Sequence, residues 1–168
     1  MELQLLKKEK CSEHIINHSI AVKNKAMEIA KHFDEVDLEV IEKGALLHDI
    51  GRSKTNDITH AIEGAKLAKK YGYSDEIIRI IERHVGAGIS EEESTKIGLP
   101  KKSYVPKTME EKIVAHSDNL INGVEEVDVD FVVSKWKDKI ENPDENIERL
   151  LELNQLLITP FKKKDSEK

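Results

Sequence analysis

Six consecutive residues, Ala45-Leu46-Leu47-His48-Asp49-Ile50, set an imidazole and a carboxylate inside a run that is otherwise apolar. Such a run is buried on every side. A buried carboxylate without a partner costs several kcal/mol, so any fold of this chain has to bring other segments to His48 and Asp49. Three more apolar stripes carry matching anomalies. His18 lies among Ile15, Val22, Ala26 and Ile29, His84 continues Ile77, Ile80 and Ile81, and Asp118 stands between Val114 and Ile121.

The stripes recur at helical spacing. Only 8 Gly and 4 Pro interrupt 168 residues, so helices dominate the reading. Ser12 caps a helix over Glu13 to Phe33, and Asp37 caps one that runs to a Gly51 stop. Arg52 to Asp57 reads as a loop. Thr59 opens a helix ending at Gly72, and Ser74 opens one ending near Gly86 and Gly88. Glu91 to Pro106 has no clear period and reads as the longest irregular segment. It is a candidate specificity lid, with Tyr104 read chiefly as a packing residue. Thr108 and Glu111 form a capping box opening a helix toward Ile121. A helix over Val129 to Ile140 follows, then one opened by Asn142, Pro143 and Glu145 that runs through Leu157. No strand is expected, so the fold class is all-α. One domain spans 1–161, with a core at about 13–124, C-terminal helices at about 129–158 and a disordered charged tail at 162–168. The C-terminal helices can close the core or pair in a homodimer, and Trp136 suits both.

Composition narrows the partners. Aromatics make up 4%, so the core is aliphatic. A net charge of −6 lacks the positive field that nucleic-acid backbones reward, which argues against extended DNA or RNA but not against a small phosphorylated ligand. The single cysteine, Cys11, excludes an intrachain disulfide and a Cys-rich zinc site, and suits a reducing cytoplasm. It reads as a buried or interfacial residue rather than a nucleophile. MELQLLKKEK is not a signal peptide, and no apolar stretch is long enough to cross a membrane.

One His on an apolar face is ordinarily a hydrogen-bonded core residue, and a lone His-Asp pair is a weak signal. The combination points further. Buried Asp and His residues cancel their desolvation cost together around a divalent ion, and this donor set suits Fe, Mn, Co, Ni or Zn. Neighbours on a helix differ by roughly 100°, so His48 and Asp49 can flank one ion, or Asp49 can bridge two. His14, at the edge of its stripe, reads as exposed or supporting. His32 reads as a helix-end residue and His116 as a packing or surface residue.

The order and spacing resemble the HD superfamily of metal-dependent phosphohydrolases: His18, then His48-Asp49 within GALLHDIGR, then Asp118 within EKIVAHSDNLI. The resemblance covers roughly His14 to Ile121. It implies a single HD-domain helical bundle in which those four residues hold the first metal. HAIEGAKLA, from His60, and ERHVGAG, around His84, are similar to the added histidine motifs of the two-metal subgroup. That subgroup includes hydrolases of symmetrical dinucleoside polyphosphates and cyclic-dinucleotide phosphodiesterases of the HD-GYP type. The likeness implies that His60 and His84 hold a second ion, with Asp49 bridging. The GYP signature is absent, which points away from the cyclic-dinucleotide branch. Small archaeal HD proteins look closest overall, and there a similar unit can accompany RNA-modifying enzymes.

The activity so implied is hydrolysis of a nucleotide or other small phosphate ester, as a phosphomonoesterase or a phosphodiesterase or pyrophosphohydrolase. One or two divalent ions would lower the pKa of a shared water. Asp49 and Arg52 are the catalytic candidates. Arg52, Lys54 and Arg83 are the candidate phosphate-binding cations, Arg52 foremost because its guanidinium fork matches phosphate. Two other classes stay open: a di-iron oxygenase of the same fold, and a regulatory or RNA-processing accessory module in which metal only stabilises the fold.

Overall fold

A computed structural model describes residues 1–166, whose regular elements are helices apart from one short hairpin. The helices are α1 (Glu2–Lys8), α2 (Glu13–Ala30), α3 (Leu38–Leu47), α4 (His60–Lys70), α5 (Asp75–Glu82), α6 (Glu91–Lys96), α7 (Met109–Asn119), α8 (Val129–Lys139), α9 (Asp144–Leu157) and α10 (Thr159–Ser166). A 3₁₀ turn, Ile50–Ser53, follows α3. Strands β1 (Ile121–Asn122) and β2 (Glu125–Glu126) pair antiparallel, Ile121 opposite Glu126. The fold class is all-α.

Side-chain caps start the helices where the sequence has them. Ser12, Asp37, Ser74, Ser90, Thr108 and Asp128 each accept from the backbone N–H three residues on. Two expected caps are replaced. Asp57, not Thr59, supplies the carboxylate before α4, accepting from the Thr59 N–H at 2.8 Å and from its hydroxyl. Asn142 has φ +53 and lies outside α9, whose cap is Pro143.

The aliphatic core falls into layers that meet around the histidines. Val22, Ala26 and Ile29 of α2 pack with Ile41 and Ala45 of α3, Ile80 of α5 and Ile113 and Val114 of α7. A second cluster joins Leu5 and Leu6 of α1 to Leu47, Ile50, Leu67, Ile77 and Ile81. On the other flank Leu120, Val132, Leu150 and Leu153 close α7, α8 and α9 together. The buried face of α9 thus seals the core. No helix among the described residues is long and apolar enough to cross a membrane.

Two expectations are corrected here. The segment from Glu91 contains α6, with Ser90 as cap and three glutamates in its first turn, where the helix dipole favours acids. It packs as a fixed element rather than a lid: Ile89, Leu99 and Tyr104 form a small cluster, and Arg149 of α9 binds Glu93 at 2.9 Å. The absence of strands is overturned by the two-residue hairpin, tied to α2 by a Lys25–Glu126 ion pair. Before Cys11, where the sequence reading placed no element, the chain forms α1, because Leu5 and Leu6 reach the core. At the C-terminal end α10 runs to Ser166, Phe161 stacks on His32 at 4.2 Å, and residues 167–168, the end of the charged tail, lie outside those described.

Candidate metal centre

Five elements deliver six side chains to one point. His18 comes from the middle of α2, and His48 is the residue that ends α3. Asp49 fills the break before the 3₁₀ turn. His60 begins α4, His84 lies just beyond α5, and Asp118 lies in the last turn of α7. His48, Asp49, His60 and His84 are 0 to 4% exposed, too buried for water to satisfy them.

The hydrogen bonds fix which ring nitrogen faces inward. Each Nδ1 lies on a backbone carbonyl: His18 on Gly123 at 2.6 Å, His48 on Ala45 at 2.6 Å, His60 on Asp57 at 2.8 Å and His84 on Ile81 at 2.6 Å. A carbonyl can only accept, so all four Nδ1 atoms carry the proton and donate. In the neutral ring each Nε2 then presents a lone pair to the centre.

What they face there is also made of acceptors. His18 Nε2 is 2.9 Å and His48 Nε2 3.3 Å from Asp118 Oδ1. His60 Nε2 is 3.3 Å and His84 Nε2 3.2 Å from Asp49 Oδ1, while Asp49 Oδ2 lies 3.5 Å from His48 Nε2. His48 Nε2 and Asp49 Oδ1 are buried without a hydrogen-bond partner. Protons fill this gap only in part. Burial presses the His48 pKa down, but the Asp49 and Asp118 charges outweigh that and lift it to about 9. At His84 burial wins, helped by the neighbouring imidazoles, and the pKa falls below its ordinary value. Burial alone would raise both Asp carboxyls; the histidines around them hold both well below the usual range.

Divalent cations meet the same demand without buried imidazolium. Two nitrogens each about 2.0–2.1 Å from one ion stand about 3 Å apart at tetrahedral or octahedral angles, and His60 and His84 Nε2 are 3.1 Å apart. Two sets of donors lie close enough to hold an ion: His18, His48 and Asp118, and His48, Asp49 and His84. His60 shares Asp49 Oδ1 with His84 and so joins the second. The two oxygens of Asp49 face different halves of the cluster. Carbonyl-anchored Nδ1 atoms are the usual support of ligating histidines, since they fix tautomer and ring orientation.

Close backbone contact holds the halves together. A Cβ at Gly51 would stand 1.7 Å from the His60 carbonyl oxygen and 2.5 Å from the Gly64 nitrogen. Gly51 therefore does more than stop α3. It lets the 3₁₀ turn press against the first turn of α4, which puts His60 beside Asp49.

A cavity of about 480 Å³ opens onto the cluster and is lined by His18, Asp49 and Asp118. A larger hollow of about 730 Å³, between α1, α3 and the α4–α5 turn, touches none of the six. Arg52 lines the smaller cavity with its Nε 3.1 Å from Asp49 Oδ1. His14 lines it as well. Lys54 and Arg83, the other expected phosphate-binding cations, do not line it. Lys54 turns to Glu9 at 3.3 Å, and Arg83 is bound by both oxygens of buried Glu111 at 2.9 and 3.0 Å. His116 is fully buried and donates from Nε2 to Asn154 Oδ1 at 2.9 Å, joining α7 to α9. The sequence reading missed the far wall, Phe131, Lys135 and Trp136 of α8. The available signal was Phe131, an apolar residue off the buried face of its helix.

Comparison with known proteins agrees with this geometry. A family model described as HD domain matches residues 15–123. An uncharacterized protein of Methanocaldococcus jannaschii is 44% identical over 151 residues, 88% of this chain and 89% of that one. A tRNA (cytidine(56)-2'-O)-methyltransferase of Thermoplasma volcanium is 43% identical over 157 residues, and the chain spans 46% of its length. Among solved structures, the HD domain of the L. monocytogenes phosphodiesterase PgpH is similar in fold, with a TM-score of 0.57 at 17% identity, covering 94% of this chain and 97% of that one. By the extent of the family match and the identity of its relatives, this chain belongs to the HD domain family.

Proposed function

We propose that the chain is a metal-dependent phosphohydrolase acting on a nucleotide, with His18, His48, Asp49 and Asp118 holding one divalent ion, His60 and His84 a second, and Asp49 shared. One observation carries this reading: four imidazole Nε2 atoms, each ring anchored through Nδ1 on a backbone carbonyl, converge on two carboxylates, with no N–H between them when the rings are neutral and only Arg52 Nε reaching Asp49 from the edge. Divalent ions bound there would supply a water of lowered pKa and neutralise phosphoryl charge. The chain's own residues do the rest. The carbonyls of Ala45, Asp57, Ile81 and Gly123 keep the rings aimed, and the buried rim limits bulk water. Arg52, at the cavity edge with Nε on Asp49 and Nη1 3.5 Å from the Asn56 carbonyl, takes a phosphoryl oxygen with its remaining N–H groups. The phosphodiesterase PgpH HD domain has been solved in complex with cyclic-di-AMP, which supports a nucleotide in this kind of cleft. We assign 1–161 to the HD unit.

The test is hydrolysis of a panel of nucleoside monophosphates, dinucleoside polyphosphates and cyclic nucleotides by chain reconstituted with each candidate metal. Turnover that Asp49→Ala abolishes, with helicity retained, is expected. Full metal occupancy and unchanged turnover in that variant would sink the assignment. Oxygen uptake without phosphate release would move the chain to the oxygenase class. A second reading, an accessory to RNA modification, is favoured by the methyltransferase relative, whose length this chain half spans. It predicts metal-dependent melting and binding to that class of enzyme, with no turnover of small nucleotides.

A further inference from the structure

The wall of the cavity opposite the histidines is built by α8, and its chemistry differs from theirs. Phe131 lines the cavity yet is 44% exposed, and it is not among the side chains packed on the α7–α8–α9 cluster. A large ring held in solvent contributes little to folding, so packing does not account for its place. Trp136 also lines the cavity, and its ring lies 3.7 Å from where a Cβ of Gly86 would stand, two residues beyond His84. Lys135 lines it too, with its Nζ 3.5 Å from Asn122 Oδ1 and no carboxylate within ion-pair range among the described residues. Arg52 and His14 place further cationic or ionisable groups on the same cavity. The volume, about 480 Å³, is in the range of small-molecule sites.

We propose that α8 is the substrate-selecting wall of this site, with Phe131 and Trp136 receiving a planar nucleobase and Lys135 meeting the charge of the nucleotide. This rests on the phosphohydrolase reading above. A phosphate at the histidine cluster leaves the attached nucleoside to extend along the cavity toward α8. Base-on-ring stacking tolerates any base, since every base has a π-face. The wall therefore selects nucleotides over other phosphate esters without selecting one base strongly.

The test measures binding of AMP, ribose 5-phosphate and inorganic phosphate to the metal-loaded full chain by calorimetry; if AMP is hydrolysed, KM replaces Kd. Stacking of one base supports about 5- to 150-fold in affinity, so AMP should bind at least about fivefold more tightly than ribose 5-phosphate. Phe131→Ala should remove most of that preference while leaving ribose 5-phosphate binding and metal content unchanged, and Phe131→Tyr should restore it. Lys135→Ala should weaken AMP and ribose 5-phosphate by a similar factor. Equal affinity of AMP and ribose 5-phosphate in the unaltered chain, or a preference untouched by Phe131→Ala, would overturn the proposal while leaving the metal centre standing. Failure of all three probes to bind would overturn the phosphate site itself and this wall with it.

Discussion

Substituting Gly51 by Ala probes the join between the two halves of the centre. The added Cβ would stand 1.7 Å from the His60 carbonyl oxygen, half of an ordinary 3.4 Å contact, and the nearest atoms on the other side are also backbone. No side chain can rotate away, so the 3₁₀ turn and α4 have to part by about 1.7 Å, the difference between those distances. Overpacking costs about 1–3 kcal/mol, and this backbone clash belongs at the upper end. At 2–4 °C per kcal/mol for a chain of this size, the Tm should fall by about 6–12 °C. His60 rides on the displaced turn, and ligand distances tolerate only about 0.2 Å, so the second ion should be lost. Calorimetric melting and metal analysis of one preparation check both. Gly72→Ala is the control: its φ is +79 with nothing within 4 Å, so it should cost about 1 kcal/mol of strain and leave metal content alone. A Gly51→Ala protein that melts within 2 °C of the parent and keeps all its metal, on an assay good to about 1 °C, would refute the reasoning.

Two further outcomes follow from residues outside the centre. Arg83→Ala should destabilise the chain by about 1.5–3 kcal/mol, because buried Glu111 loses its charge-assisted hydrogen bonds and keeps only Arg79 at 3.6 Å and the Lys107 N–H at 2.8 Å, and should leave KM unchanged since Arg83 does not line the cavity; chemical denaturation and kinetics check this, and a raised KM with unaltered stability would return Arg83 to the substrate. Cys11 should alkylate slowly. Burial, with Glu9 adding to it, pushes its thiol up to about 11, so at pH 7.5 its thiolate is about 300-fold scarcer than that of an ordinary cysteine. Its reaction with iodoacetamide, followed by mass spectrometry, should rise about tenfold per pH unit up to that pKa, and a rate equal to free cysteine at pH 7.5 would contradict the burial argument.

The long helices and the convergence of His and Asp were readable because both leave periodic marks. An ionisable residue in the stripe of His18 or His84 stands out against its neighbours at three and four positions. Short elements leave no such mark. α6 and the hairpin are too brief for a period to develop, and α1 is readable only through the core that Leu5 and Leu6 join. The fates of Lys54 and Arg83 depended on Glu9 and Glu111, 45 and 28 positions away, so no local pattern showed that these cations were already engaged. Gly51 looked like a helix stop, since only tertiary contact reveals the carbonyl pressed against it. The α8 wall stayed hidden for a related reason: Val129, Val132, Val133 and Trp136 give that helix an ordinary core-facing pattern, against which Phe131 reads as one more apolar residue.

The most direct test of the proposed two-metal site is the metal content of the purified chain, by elemental analysis against an independently fixed protein concentration. The account predicts about two equivalents of a first-row divalent metal per chain, falling to about one in His60→Ala. One equivalent unaffected by that substitution, or none after reconstitution, would contradict it.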